Sequence, residues 1–416
     1  MRILFVSQEF PPETGGGGIG TYVASVAPSL AGRGHEVHVL SCAAGQQSRD
    51  YVVEGATIHR RGLVQFPGAR RLQNLVFRMS GGPLTWQRLH LGLSAFIEAG
   101  RLHTAFDIVE YPDWNAEGWV FALNRSLPIV AHLHTPLQLI TAYAHSPFTR
   151  DIRWSSALES FAVERAHVAT TASQILADSL KEVGWLKRSD VDVIPYPLDL
   201  SRWQMNAPVS ETDPTVVFVG RIERRKAPEL LVEALAIVRK RIPRAKGLFL
   251  GRSSGTRDGL PYLDWLLKTF GDNTGNRFVG EVPRDQLKAY LAQSRVLAMP
   301  SEFDSYGLAA AEAMAAGRPV VASSTTGVAE LVQSSGAGSV FQAGNAEALA
   351  NALLPFLENP SYAQRTGEKA RGAALKYHEP DALARHREAA YARALVARGR
   401  PANRSAASAP RLRASL

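Results

Sequence analysis

The sequence predicts an α/β protein made of two tandem doubly wound, Rossmann-like domains. Three observations lead there. A chain of 416 residues is longer than one hydrophobic core ordinarily supports. Short apolar runs alternate with helical segments, the pattern of a parallel sheet with helices on both faces. The alternation breaks at a polar, proline-bearing stretch and then restarts.

Taken in order, residues 3–7 form an apolar run of strand length, followed by a glycine-rich loop. Residues 20–32 read as a helix closed by glycine, and residues 37–41 as the second strand. Residues 108–110 and 128–132 are further short strands in a first domain spanning 1–200. The polar stretch 201–214 reads as a linker. A second domain over 215–379 then opens with a strand at 215–220 and a helix at 228–241. Strands at 247–251 and 277–279, a helix at 284–293 and a strand at 296–300 follow. Residues 380–397 look helical. The last stretch, 400–416, is rich in Ala, Ser, Arg and Pro and has the composition of a disordered basic tail.

Composition narrows the class. An apolar fraction of 45% with 20% charged residues fits a soluble globular protein. A lone Cys42 rules out an intramolecular disulfide framework and agrees with a reducing compartment. The apolar start of the chain is too short for a signal peptide, and no apolar run reaches the roughly 20 residues that span a bilayer. A cytoplasmic protein is therefore expected, with the inner face of the membrane as a further possibility. The formal charge of +9 is uneven. Arg60, Arg61, Arg70, Arg71, Arg78, Arg88 and Arg101 are opposed between them only by Glu98. No nucleic-acid motif accompanies this cluster, so nucleic acid is not expected as a partner. Interleaved Leu72, Leu75, Val76, Phe77 and Trp86 suit peripheral contact with anionic lipid or an anionic acceptor. A solvated helix face over buried apolar residues explains the same pattern.

The chemistry concentrates in three places. Residues 300–308 read Pro-Ser-Glu-Phe-Asp-Ser-Tyr-Gly-Leu and run into an Ala-rich helix that carries Glu312. Asp304 lies in the glycine-containing loop and Glu312 in the helix, so both acids and the amides of the helix start can share one cleft. Helix-start amides attract phosphate. Carboxylates beside them suit hydroxyls, and a sugar nucleotide carries both groups. Second, Arg221 and Lys226 lie on the loop between a strand ending at Gly220 and a helix beginning near Pro228. They are a guanidinium fork and a mobile point charge for phosphate. Third, Gly15 to Gly18 follow the first strand, where glycines let a backbone approach a ligand. No acid ends the second strand, which disfavours a nicotinamide site. His134 ends a short apolar strand, and strand ends face the ligand crevice in open α/β sheets. Trp114 and Glu117 follow another strand end and combine an aromatic ring with a carboxylate, as carbohydrate recognition requires. No Asp-x-Asp motif or His/Cys cluster suggests a metal.

The Asp304…Glu312 segment resembles the Glu-x7-Glu signature of retaining GT-B glycosyltransferases of family 4, with Asp304 in place of the first Glu. The Arg221…Lys226 loop and the Pro11-Pro12…Gly15-Gly16 loop resemble that family's phosphate loops, and the likeness covers nearly the whole chain. It implies a GT-B fold, two Rossmann-like domains facing a central cleft, with a last helix at about 380–398 returning to the first domain. The resemblance implies transfer of a hexosyl group with retention from a nucleoside-diphosphate sugar to a hydroxyl, without metal or other cofactor. Glu312 then holds the ribose and Asp304 the donor-sugar hydroxyls. Arg221 and Lys226 neutralise the diphosphate, with Gly16, Gly17, Gly18, Ser305, Tyr306, Gly307 and Leu308 lining the donor. His134 lies near the reacting carbon, and Glu117 with Trp114 meets the acceptor. That acceptor is expected to be a glycan, a lipid-linked glycan or a small hydroxyl compound, as in polysaccharide biosynthesis. A GT-B epimerase or hydrolase, or a non-catalytic sugar-nucleotide binder, would share the scaffold.

Overall fold

The computed structural model describes residues 1–12, 17–205, 207–271 and 275–399. Gly15, Gly16 and the basic tail 400–416 lie outside the described residues. The chain forms two compact units, one of Met1–Pro197 with the segment from Pro380, the other of Leu198–Glu379.

The first unit is built on eight strands: β1 (Arg2–Val6), β2 (Glu36–Ala43), β3 (Arg49–Val53), β4 (Ala56–Gly62), β5 (Ile108–Pro112), β6 (Ile129–Leu133), β7 (Val168–Thr171) and β8 (Val191–Val193). Their order is β3-β4-β2-β1-β5-β6-β7-β8. The central strands are apolar on both faces because helices cover both sides, so β1, β5 and β6 are buried end to end apart from Arg2. One edge departs from the parallel expectation. β3 runs antiparallel to β4, and Glu54-Gly55, both at positive φ, make the tight turn between them. The crossover from β4 to β5 runs through two helices, Ala69–Ser80 and Leu84–Arg101, which the alternation reading did not resolve. Pro380–Ala397 is a helix of this unit. Arg387 on it forms a buried ion pair with Glu110 at 3.0 Å, and the Tyr391 hydroxyl donates to the same carboxylate at 2.7 Å.

The second unit holds β9 (Thr215–Val219), β10 (Lys246–Leu250), a small hairpin of β11 (Thr256–Arg257) and β12 (Leu260–Pro261), β13 (Asn276–Gly280), β14 (Val296–Met299), β15 (Val320–Ser323) and β16 (Gly338–Phe341). Its main sheet is parallel, in the order β13-β10-β9-β14-β15-β16. Val216, Phe218, Leu231, Leu235, Phe249 and Leu353 lie at the centre of its core. The 201–214 stretch is packed against this unit, with Trp203 and Val209 buried. Gln364 Oε1 accepts from the Val209 N–H at 2.7 Å.

Strand order fixes where ligands can sit. In each sheet the connections leave in opposite directions from two neighbouring strands, β1 and β5 in the first and β9 and β14 in the second. A crevice opens beyond the carboxyl ends of such a pair.

Candidate active site

In the second unit the loops after β9 and β14 flank the switch point. The β9 loop carries Arg221 and Lys226. It turns through a short 3-10 helix, Arg224–Lys226, and Ala227 at φ 46° sets the entry to the helix Pro228–Arg239. The β14 loop carries Asp304 and ends at Gly307, the residue before the helix Leu308–Ala315. Gly307 has φ +99°, and a Cβ there would lie 2.9 Å from Met299 Sδ, so conformation and packing both require glycine.

The loops are bound to each other. Arg225 is buried, donating to the Phe303 carbonyl at 3.1 Å and to Glu223 at 2.8 Å. The guanidinium clamps the two loops that carry the site. Glu302 N–H donates to the Arg225 carbonyl at 2.9 Å. Lys226 Nζ forms an ion pair with Asp304 Oδ2, and Asp304 Oδ1 accepts from Tyr306 N–H at 3.3 Å. Burial alone would raise the Asp304 pKa, but the charges of Lys226 and Arg225 outweigh it and hold it below the ordinary value. Lys226 is itself lowered by burial, partly offset by Asp304.

Glu312 is buried and pairs with Arg284, the first residue of the helix Arg284–Gln293. Burial pushes its carboxyl upward against the pull of Arg284 and Arg202. Arg221 is more open, and its guanidinium lies 3.2 Å from Glu223. Ser305 and Leu308 are half-buried. Tyr306 is buried and its hydroxyl contacts the His378 ring at 3.1–3.2 Å, which anchors the turn from inside. Arg284 escaped sequence reasoning, because only the fold brings the start of that helix to Glu312. Gly251, after β10, was also missed: a Cβ there would lie 2.0 Å from the Gly220 carbonyl oxygen, directly behind Arg221.

In the first unit, Glu117 and the β1 loop meet at the other switch point. Glu117 is buried and its Oε2 accepts from Gln8 N–H at 2.7 Å, while Asn115 Nδ2 donates to Gln8 Oε1 at 2.8 Å. In this arrangement the Glu117 carboxylate positions the β1 loop. Burial lifts its pKa to about 8. Gly17 and Gly18 are exposed, and a Cβ on Gly18 meets nothing within 4 Å. Gly16 lies outside the described residues. Trp114 is half-buried beneath the Arg88 guanidinium, 5.4 Å from its ring.

His134 follows β6 directly and is buried. Its Nδ1 contacts the Tyr196 hydroxyl at 2.7 Å, and its N–H donates to Asp113 Oδ1 at 2.8 Å. Burial, reinforced by Arg387, lowers its pKa to about 3, so the imidazole is neutral. Asp113 is a third residue that sequence reasoning passed over, although it directly follows β5. It is buried, its Oδ2 has no hydrogen-bond partner among the described residues, and burial raises its pKa to about 8.

Among the described residues no group of three or more His, Cys, Asp or Glu is placed to hold a metal ion. No helix among them is long and apolar enough to cross a membrane.

Comparison with known proteins agrees with this geometry. Residues 16–202 match the family model described as Glycosyltransferase Family 4, and residues 202–373 match Glycosyl transferases group 1. D-inositol 3-phosphate glycosyltransferase of Kineococcus radiotolerans is 30% identical over 404 residues, covering 87% of each chain. The chain belongs to glycosyltransferase family 4. Glycogen synthase of Mycobacterium tuberculosis is another relative of this family 4 enzyme, 29% identical over 388 residues and covering 89% of each chain. Sucrose-phosphate synthase from Thermosynechococcus elongatus is similar in structure, with a TM-score of 0.74 at 21% identity over 95% of this chain and 99% of that one. Anabaena HepE, solved with UDP-glucose, gives 0.66 at 18% identity over 93% and 98%. The fold of this glycosyltransferase is GT-B.

Proposed function

We propose that this glycosyltransferase moves a hexosyl group from a nucleoside-diphosphate sugar to a hydroxyl acceptor, with retention and without a metal ion. The carrying observation is the pairing at the switch point of the second unit, Lys226 with Asp304 and Arg284 with Glu312, beside the more open Arg221. A ligand bearing phosphates and hydroxyls complements both members of such pairs. Phosphate oxygens take the cations and hydroxyls take the carboxylates. The nucleotide sugar is the ligand with both groups, and UDP-glucose, present in the HepE structure, is the first donor to test.

In this reading Glu312 holds the ribose and Asp304 a hydroxyl of the donor sugar. The amides opening the helix Leu308–Ala315, with those of Ser305 and Gly307, line the phosphates. The bond from the sugar's anomeric carbon to the diphosphate oxygen breaks with its electron pair on the oxygen. Arg221 and Lys226 stabilise that charge. The acceptor oxygen bonds to the same face of the carbon, and its proton passes to the departing phosphate. In the first unit the reading assigns His134 as a neutral hydrogen-bonding group and Trp114, Gly17 and Gly18 as further ligand contacts, with Glu117 holding the β1 loop in place. The acceptor is a glycan or lipid-linked glycan in polysaccharide biosynthesis. A reducing, cytoplasmic setting suits the lone buried thiol of Cys42.

The test is mass spectrometry of a nucleotide-sugar panel with and without an acceptor mixture, followed by NMR of the product's anomeric proton. Acceptor-dependent product with the donor's configuration supports the proposal. Equal donor loss without acceptor identifies a hydrolase or epimerase, and binding without turnover identifies a non-catalytic binder.

A further inference from the structure

The basic stretch between Arg60 and Arg101 separates into two populations. Arg60 is buried and donates to Ser41 Oγ at 3.0 Å and the Phe10 carbonyl at 2.6 Å. Arg61 pairs with Asp50 at 2.6 Å, Arg88 with buried Glu159 at 2.8 Å and Arg101 with Glu98 at 2.6 Å. These four charges are used inside the unit. Arg70, Arg71 and Arg78 instead stand exposed on the helix Ala69–Ser80, which contains no acid.

That helix turns Gln73, Val76, Phe77 and Ser80 inward and leaves its apolar outer stripe uncovered. Leu72, Leu75 and Met79 are 43%, 53% and 50% exposed. The patch continues onto a second segment, since Arg150 Nη2 donates to the Arg78 carbonyl at 3.0 Å. Phe148 and Trp154 there are 38% and 48% exposed, beside exposed Arg150 and Arg153. The one acid between residues 142 and 158, Asp151, is buried and accepts from Leu84 and Thr85 N–H at 2.8 and 2.9 Å. Five arginines and five large apolar side chains thus stand exposed on two adjoining segments with no solvent-facing carboxylate among them.

We infer that this patch docks on the surface of an anionic phospholipid bilayer. Arginines lay their stems along apolar surface and reach outward to phosphate, while Leu, Met, Phe and Trp enter the headgroup boundary. Nucleic acid would leave the apolar stripe without a role. An acidic protein would match the charge, but five protruding apolar side chains interleaved with arginine suit a deformable interface better than a fixed one. The inference is independent of the reading of the donor site. Joined to it, it selects lipid-linked compounds among the possible acceptors.

The experiment is co-sedimentation of the full chain with phosphatidylcholine vesicles and with phosphatidylcholine–phosphatidylglycerol vesicles. Binding is expected only to the second kind and weakens as salt rises. Each arginine near such a surface contributes about fivefold in partitioning, so R70Q/R71Q/R78Q should bind about a hundredfold more weakly. L72Q/L75Q/M79Q should lose binding at every salt concentration while unfolding at the wild-type temperature, because the residues are exposed. Equal binding to neutral vesicles, or wild-type binding by both variants, overturns the inference. So does a wild-type dimer in light scattering that L72Q/L75Q/M79Q dissociates, since the stripe would then be a protein interface.

Discussion

Replacing Asp304 by Asn separates two roles that the structure gives this residue. In the ligand-free protein its carboxylate neutralises Lys226 at a buried position, and in the proposed complex it holds a donor-sugar hydroxyl. Removing one member of a buried ion pair costs about 3–5 kcal/mol. The Lys226 side chain keeps 16% exposure and can shed its proton, while Asn can still accept from Tyr306 N–H. Asp304→Asn should therefore destabilise the second unit near the lower end, about 3 kcal/mol. Free nucleoside diphosphate should bind Asp304→Asn as well as wild type, or better, because Lys226 no longer exchanges a carboxylate for phosphate. Turnover should fall about ten- to a hundredfold, since a hydrogen bond to a charged group is worth about 1.5–3 kcal/mol. Denaturant melts, calorimetric titration with the diphosphate and steady-state kinetics read the three quantities. Asp304→Glu should be tolerated. Normal turnover with Asn would refute the sugar contact, and a large loss of diphosphate affinity would refute the pairing argument.

Glu312→Gln should weaken nucleotide binding about ten- to a hundredfold without unfolding the protein; unchanged affinity in titration removes Glu312 from the site. Arg221→Ala and Lys226→Ala should each lower kcat more than they lower Tm, and a chelator should leave wild-type turnover intact; activity restored only by magnesium or manganese contradicts the metal-free proposal. Gly251→Ala should disrupt the second unit, as its Cβ would lie 2.0 Å from a backbone oxygen, whereas Gly18→Ala, with nothing within 4 Å, should melt like wild type; circular dichroism melts distinguish them. The first unit should lose stability toward pH 3 and, most steeply, between pH 6.5 and 8. His134, depressed to about 3, contributes stability that is present above the ordinary histidine pKa and lost as pH falls toward 3. Asp113 and Glu117, raised to about 8, contribute stability that is lost as pH rises from the ordinary carboxylate range through 8. Above pH 6.5 the slope is about 1.4 kcal/mol per pH unit for each acid, and Asp113→Asn should halve it in melts across that range.

The strand–helix alternation was legible because central parallel strands are apolar on both faces, as in β1 and β9. The β3–β4 hairpin was not, since Arg49-Asp50 and His59-Arg60-Arg61 break up its apolar pattern and only the Glu54-Gly55 turn marks it. Family motifs located Arg221, Lys226, Asp304 and Glu312, each on a strand-end loop or the helix behind it. Their partners stayed hidden. Arg225, Arg284 and Asp113 owe their placement to tertiary packing, which no local spacing encodes. The same limit applies to charge: Arg60, Arg88 and Arg78 look alike in sequence, yet two are buried and one is exposed.

Calorimetric titration of wild type and Lys226→Met with UDP-glucose and other nucleotide sugars tests the central claim most directly. The account predicts saturable binding of at least one nucleotide sugar to wild type, weakened about tenfold or more in Lys226→Met through the lost charge-assisted contact to phosphate. Equal affinity in both proteins, or no nucleotide sugar bound by wild type, would contradict it.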